Sequence, residues 1–122
     1  MLKIMGEVVS FKPLGSSGEL QEGCNLYRGN LKLALLRCLR EGEMHGLDMI
    51  NRIREITNGE WVPSPGSVYP VLHEFELHGY VIKRQAGRSL FYSMTEKGEE
   101  AFNSFSSDVR NQLEFMNWIM NV

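Results

Sequence analysis

Apolar positions recur at helical spacing in four stretches of this chain and alternate in one. In "NLKLALLRCLRE", residues 30–41, Leu31, Ala34, Leu35, Cys38 and Leu39 follow i, i+3, i+4, i+7, i+8, the pattern of one buried helical face. Leu33 and Leu36 fall on a second face, which a monomer leaves wet, so a second chain is expected to pack there. After "EGEMHG", a helix from about Leu47 to Thr57 brings Met49, Ile50, Ile53 and Ile56 together, and "NG" at 58–59 stops it.

The next stretch, "SPGSVYPVLHEFELHGYV", begins with two prolines and a glycine in its first seven positions yet carries a helical pattern from Val68 onward. Ser64 suits the N-cap and Pro65 the first helical position, where an N–H has no intrahelical partner anyway. Pro70 is a defect of about 3 kcal/mol in a regular helix, because it removes the bond to the carbonyl of Gly66 and crowds it. A loosened first turn is therefore expected, with front-end N–H groups free to meet an anion such as phosphate. Val68, Val71, Leu72 and Phe75 form the predicted buried face, and Ser67, Tyr69, Pro70 and His73 point outward.

Gly79 supplies the helix stop, and "YVIKRQAGRSLFYSM" alternates on both sides of Ala86, Gly87 and Arg88, which predicts a β-hairpin with basic residues near its tip. Thr95 caps a last helix of about 25 residues. Its stripe of Phe102, Phe105, Val109, Leu113 and Met116 widens through Phe115, Trp118 and Ile119, too apolar to cover only its own domain. The fold class is mainly α with a small β-hairpin (α+β). Three helices followed by a hairpin is the order of a winged helix-turn-helix, here extended by a long C-terminal dimerisation helix. The expected division is an N-terminal arm at 1–27, a winged helix-turn-helix at 28–94 and the dimerisation helix at 95–122. The arm contains "KPLGSSGELQEGC", a run that punctuates rather than packs.

Composition narrows the function. At 122 residues, 43% of them apolar, the chain has room for one ordinary core and not for two. It shows no signal-peptide pattern and no run of eighteen uncharged apolar residues, so a cytoplasmic protein with no membrane partner is expected. Cys24 and Cys38 are too few for a disulfide framework, and no Cys or His pair stands at zinc spacing. Cys38 reads as a small core residue. The net charge of −2 hides a split: ten Lys or Arg against eight Asp or Glu lie between Arg28 and Lys97, while the two ends together hold three against seven. Any DNA contact must therefore come from local placement of charge. No nucleophile and base form a recognisable motif, and no Gly-rich phosphate loop follows a strand, so neither an enzyme nor a cofactor is expected.

Three separated segments, "YRGNLKLALLRCLREGEMHGLDMI", "PSPGSVYPVLHEFELHGYV" and "FYSMTEKGEEA", resemble the PadR-like transcriptional regulators over about residues 27–101. The resemblance lies in an HG turn after helix one, an SPGS-Y-P recognition helix and a Y-x-x-T-x-K-G entry into the last helix. It implies a homodimeric transcription factor, usually a repressor, that binds an inverted repeat in double-stranded DNA and releases it on a signal. Dimerisation through the C-terminal helix is also implied. Two positions depart from the family pattern: Leu47, where an aromatic residue is common, and Glu74, where a basic or neutral one is more usual.

The candidate DNA-binding residues are Ser64, Gly66, Ser67, Tyr69, Pro70 and His73 on the third helix, with Lys83, Arg84 and Arg88 on the wing. For the serines the competing role is capping, for Tyr69 packing against the hairpin, and for the three cations simple solvation. Leu33, Leu36, Phe102, Phe105, Val109, Leu113, Met116 and Ile119 are the candidate dimerisation residues. Trp118 is a candidate wall for a small hydrophobic or aromatic effector, which the resemblance suggests, against plain packing in the dimer core. Trp61 reads as the anchor of the turn before the third helix. The alternative function is a winged-helix module that binds protein and not DNA, in keeping with Glu74, Glu76 and the overall acidity.

Overall fold

The computed structural model describes Tyr27 and residues 29–121. The expectations for the rest of the arm, including Cys24, lie outside the described residues. The chain divides into two compact units, Met1–Leu31 and Lys32–Val122. The described part of the first holds a turn in which the Asn30 amide donates to the Tyr27 carbonyl at 2.9 Å.

The remaining elements run α1 (Leu31–Leu39), α2 (Gly46–Ile56), α3 (Pro65–Leu77), β1 (Val81–Ala86), β2 (Ser89–Met94) and α4 (Glu96–Met120). This is the expected order, with a long last helix. The strands are antiparallel, with Val81 opposite Met94 and Ala86 opposite Ser89. Met44 joins them as a third, one-residue strand: its amide donates to the Tyr92 carbonyl at 3.1 Å and its carbonyl accepts from the Tyr92 amide at 2.8 Å.

Leu35, Leu36, Met49, Val68, Leu72, Phe75 and Val81 are the most deeply buried side chains. Leu36 is thus not on a wet face. The expectation assumed one covered stripe on α1, whereas this helix is enclosed on more than one side, and burying a leucine is worth about 1.5–3 kcal/mol. Leu33 is half-buried. Phe102, assigned to dimerisation, is also buried, under the Arg40 guanidinium 4.9 Å above its ring. On α2, Met49, Ile50 and Ile53 are buried, but Ile56 is exposed because it is the last residue of the helix, where the chain leaves the core. That helix ends as the sequence implies: Asn58 and Gly59 both take positive φ, +53° and +82°. Thr57 then fixes the loop, its hydroxyl oxygen accepting from the Trp61 amide and donating to the Trp61 carbonyl, both at 3.1 Å, and Trp61 is buried.

Glycines explain two of the three sequence motifs. A side chain at Gly46 would run into the Tyr69 ring, and one at Gly98 would collide with the Tyr80 carbonyl and Met94. Thr95 closes the second junction: its hydroxyl donates to the Gly79 carbonyl at 2.6 Å and accepts from the Gly98 amide at 3.1 Å. One threonine therefore caps α4 and ties it to the end of α3.

Candidate nucleic-acid interface

Helix α3 is anchored at both ends. At the front, the Ser64 hydroxyl accepts from the Ser67 amide at 3.2 Å and lies 3.1 Å from the Ser67 hydroxyl. The Ser67 and Val68 amides also reach the Ser64 carbonyl, each at 3.0 Å. The first turn is therefore well formed and not loosened. The Ser64 side chain and carbonyl hold the amides ahead of Pro70, and the helix runs on unbroken through the proline. Pro65 has no N–H, Ser67 is already bonded, and Gly66 keeps the one front-end amide with no partner among the described residues. At the back, the Gly79 amide bonds to the Glu76 carbonyl at 3.1 Å and the Tyr80 amide to the Phe75 carbonyl at 2.8 Å. With Gly79 at φ +78°, this is a Schellman stop.

Val68, Leu72 and Phe75 turn inward and Val71 is half-buried, so the opposite side of α3 faces out. Its most outward strip is Gly66, Pro70, His73 and Leu77, at spacings of four, three and four. Ser67, Tyr69, Pro70 and His73 are exposed as expected; Leu77, 73% exposed, was not foreseen. The helix carries no Lys or Arg.

Its two carboxylates are neutralised by the protein itself. Glu74 accepts from Lys32 Nζ at 2.7 Å, which holds its carboxyl below the ordinary value. Glu76 lies 3.4 Å from Lys83 Nζ and 4.0 Å from His73 Nδ1.

Lys83 and Arg84, adjacent on β1, project to opposite faces of the hairpin. Lys83 turns towards α3, while Arg84 makes a bidentate pair with Glu43, at 2.7 and 3.1 Å, and lies over the Phe91 ring. Glu43 also accepts from the Ser93 hydroxyl, so Arg84 fastens the wing to the segment before α2. Arg88 is different. It follows Gly87, whose φ of +62° with a negative φ at Arg88 is the pattern of a type II′ hairpin turn. At this tip Arg88 is exposed and has no ion-pair partner among the described residues.

Wing and helix meet in an open cleft of about 360 Å³ lined by His45, Leu47, Tyr69, Arg88, Ser89 and Leu90. The structure thus brings Tyr69 and Arg88 to one place, and Ser64 and Ser67 to another on the same helix. His45 is held there by a capping box: its Nδ1 accepts from the Asp48 amide at 3.3 Å, and Asp48 accepts from the His45 amide at 3.4 Å. Its ring also contacts Phe91, with centroids 5.4 Å apart. His45 and Ser89 were not among the candidates. The "HG" pair hinted at a turn, but its neighbours come from α3 and β2, distant in the chain.

A buried three-helix core, a third helix with an open outer face and a two-stranded wing define a winged helix-turn-helix protein. The Transcriptional regulator PadR-like family matches residues 35–104, more than half of the chain, and the chain belongs to this family. It is 32% identical over 73 residues to the transcriptional regulator YqjI of Escherichia coli strain K12, across 59% of this chain and 35% of that protein. The chain spans about a third of the length of the curated relatives it matches. A transcriptional regulator from Clostridium thermocellum has the same fold, with a TM-score of 0.72, 20% identity, and coverage of 85% of this chain and 96% of that one. Bacillus subtilis PadR in complex with operator DNA is 26% identical with a TM-score of 0.54, over 62% of this chain and 44% of that one. Among the described residues, no helix is long and apolar enough to cross a membrane.

Proposed function

We propose that this protein is a homodimeric repressor that binds an inverted-repeat promoter site in double-stranded DNA and leaves it on a signal. In this reading α3 enters the major groove, with Ser64, Gly66, Ser67, Tyr69, Pro70 and His73 near the DNA, and Arg88 grips the flanking backbone. The observation that carries it is the position of Arg88, an unpaired cation across a cleft from Tyr69, while Glu74 and Glu76 are matched by Lys32 and Lys83. The outer face of α3 is thereby cleared of net repulsion, and a cation stands where a phosphate would pass. Arg84 is assigned to holding the wing, and Lys83 to neutralising Glu76. The match to a PadR solved in complex with operator DNA supports a DNA-binding role.

The dimer is proposed from α4. Phe105, Val109 and Leu113 are half-buried, and Phe115, Met116, Trp118 and Ile119 are exposed. A water-facing stripe of this kind calls for a partner, and a second copy supplies a matching one. Trp118, stacked on Phe115 at 6.1 Å between centroids, is assigned to that interface. Selection from a random duplex pool tests the function. Enrichment of an inverted repeat with half-sites about 10 base pairs apart, or a multiple of that, is the expected result. A pool that shows no enrichment and no salt-dependent retention would leave the protein-binding module as the better account.

A further inference from the structure

We infer that this helix reads its DNA site mainly through thymine 5-methyl groups, with Pro70 and Leu77 as the reading side chains. The inference rests on the proposed DNA binding and deepens it. Guanine is most often read by a bidentate Arg or Lys, and α3 has neither. Cytosine is read by a carboxylate, but Glu74 and Glu76 are occupied by Lys32 and Lys83. Adenine is most often read by Asn or Gln, which the helix also lacks.

What the outward strip does offer is Gly66, Pro70, His73 and Leu77. Gly66 has no side chain, and His73 can make one hydrogen bond at a time to a base edge. Pro70 and Leu77 are apolar and exposed, and in the major groove the apolar feature that distinguishes one base from the others is the thymine methyl. Leu77 is 73% exposed, so its side chain is not committed to the core and remains available for such contact. Pro70 has a fixed ring that loses no side-chain freedom on contact. Hydrogen-bond readout is therefore confined to His73 and the hydroxyls of Ser67 and Tyr69, of which Ser67 is engaged with Ser64.

The test uses the duplex recovered from the random-pool selection and copies in which each thymine is replaced in turn by deoxyuridine, which removes the methyl and leaves the pairing edge intact. Affinities are measured for the wild type, Leu77→Ala and Pro70→Ala. The expected result is a loss of about three- to fivefold in wild-type affinity at one or more thymines of each half-site. At each of those positions the loss disappears in one of the two variants. If deoxyuridine changes no affinity, or its effects persist undiminished in both variants, the inference is overturned while DNA binding stands. If the selection recovers no DNA, the functional reading itself falls and takes the inference with it.

Discussion

The Tyr69 ring sits where a side chain at Gly46 would have to go: a Cβ there would lie 2.6 Å from Tyr69 Cζ. The first residue of α2 and the fifth of α3 are thus complementary in shape, and the glycine of the "HG" pair lets the tyrosine lie against α2. Gly46→Ala is expected to push the ring out and to destabilise the fold by about 1–2 kcal/mol. In a Tyr69→Ala background the same change should cost under about 0.5 kcal/mol, since alanine is otherwise the better helix former. Urea unfolding of the four proteins checks this, and additive costs would show that the two residues act independently.

Pro70 deprives the Gly66 carbonyl of its helical donor. Because α3 is continuous from Pro65 to Leu77, Pro70→Ala restores that bond without rearranging the helix. Stability should rise by about 1 kcal/mol or more. Operator affinity should fall, because a ring on the outward strip is lost. A thermal melt and a binding titration on one preparation separate the two effects.

Acid should weaken the junctions between elements. Hydrogen bonds from Arg84 to Glu43, from Lys32 to Glu74 and from Arg52 to Glu41 hold these carboxyls below their ordinary value of 4.5. A carboxylate whose folded value is depressed contributes stability that is present above its unfolded value and lost as pH falls through the folded one. The thermal midpoint should therefore drop as pH is lowered below about 4.5, and less steeply in Glu43→Gln than in the wild type. The pairs are exposed, so raising the salt should shrink the difference. Equal slopes in the two proteins at low salt would remove Glu43 from the account.

The exposed end of α4 should make the protein a dimer. Light scattering at micromolar concentration is expected to give twice the chain mass of 14.0 kDa. Phe105→Asp with Val109→Asp should lower both the mass and the thermal midpoint, since one helix supports both. A well-folded wild-type monomer would contradict the assignment.

The sequence carried the elements well because their signals are local. Ser64, Thr95, Gly79 and the Asn58–Gly59 pair each mark a boundary through their own backbone preference, and each stands where its residue type implies. What periodicity could not tell was how many sides of a helix are covered. Spacing puts Leu36 on a second face of α1, yet that face is enclosed in its own chain. The site was legible only in part for the same reason. That Ser67, Tyr69, Pro70 and His73 point outward follows from α3 alone, whereas the partners of Lys83 and Arg84 lie 7 and 41 positions away, and no local pattern announces them. Leu77 is hidden from a sequence reading because an apolar residue at the end of an apolar helix reads as core, yet it is exposed.

The most direct test of DNA reading by helix and wing is the salt dependence of operator binding, compared between the wild type and Arg88→Ala. With about two phosphate contacts per subunit, the wild-type dimer should give a log–log slope of roughly −4. Arg88→Ala removes one cation from each subunit, so the slope should shrink by about 2, and affinity should fall similarly on operator and scrambled duplexes. An Arg88→Ala protein with the wild-type slope and affinity would contradict the account.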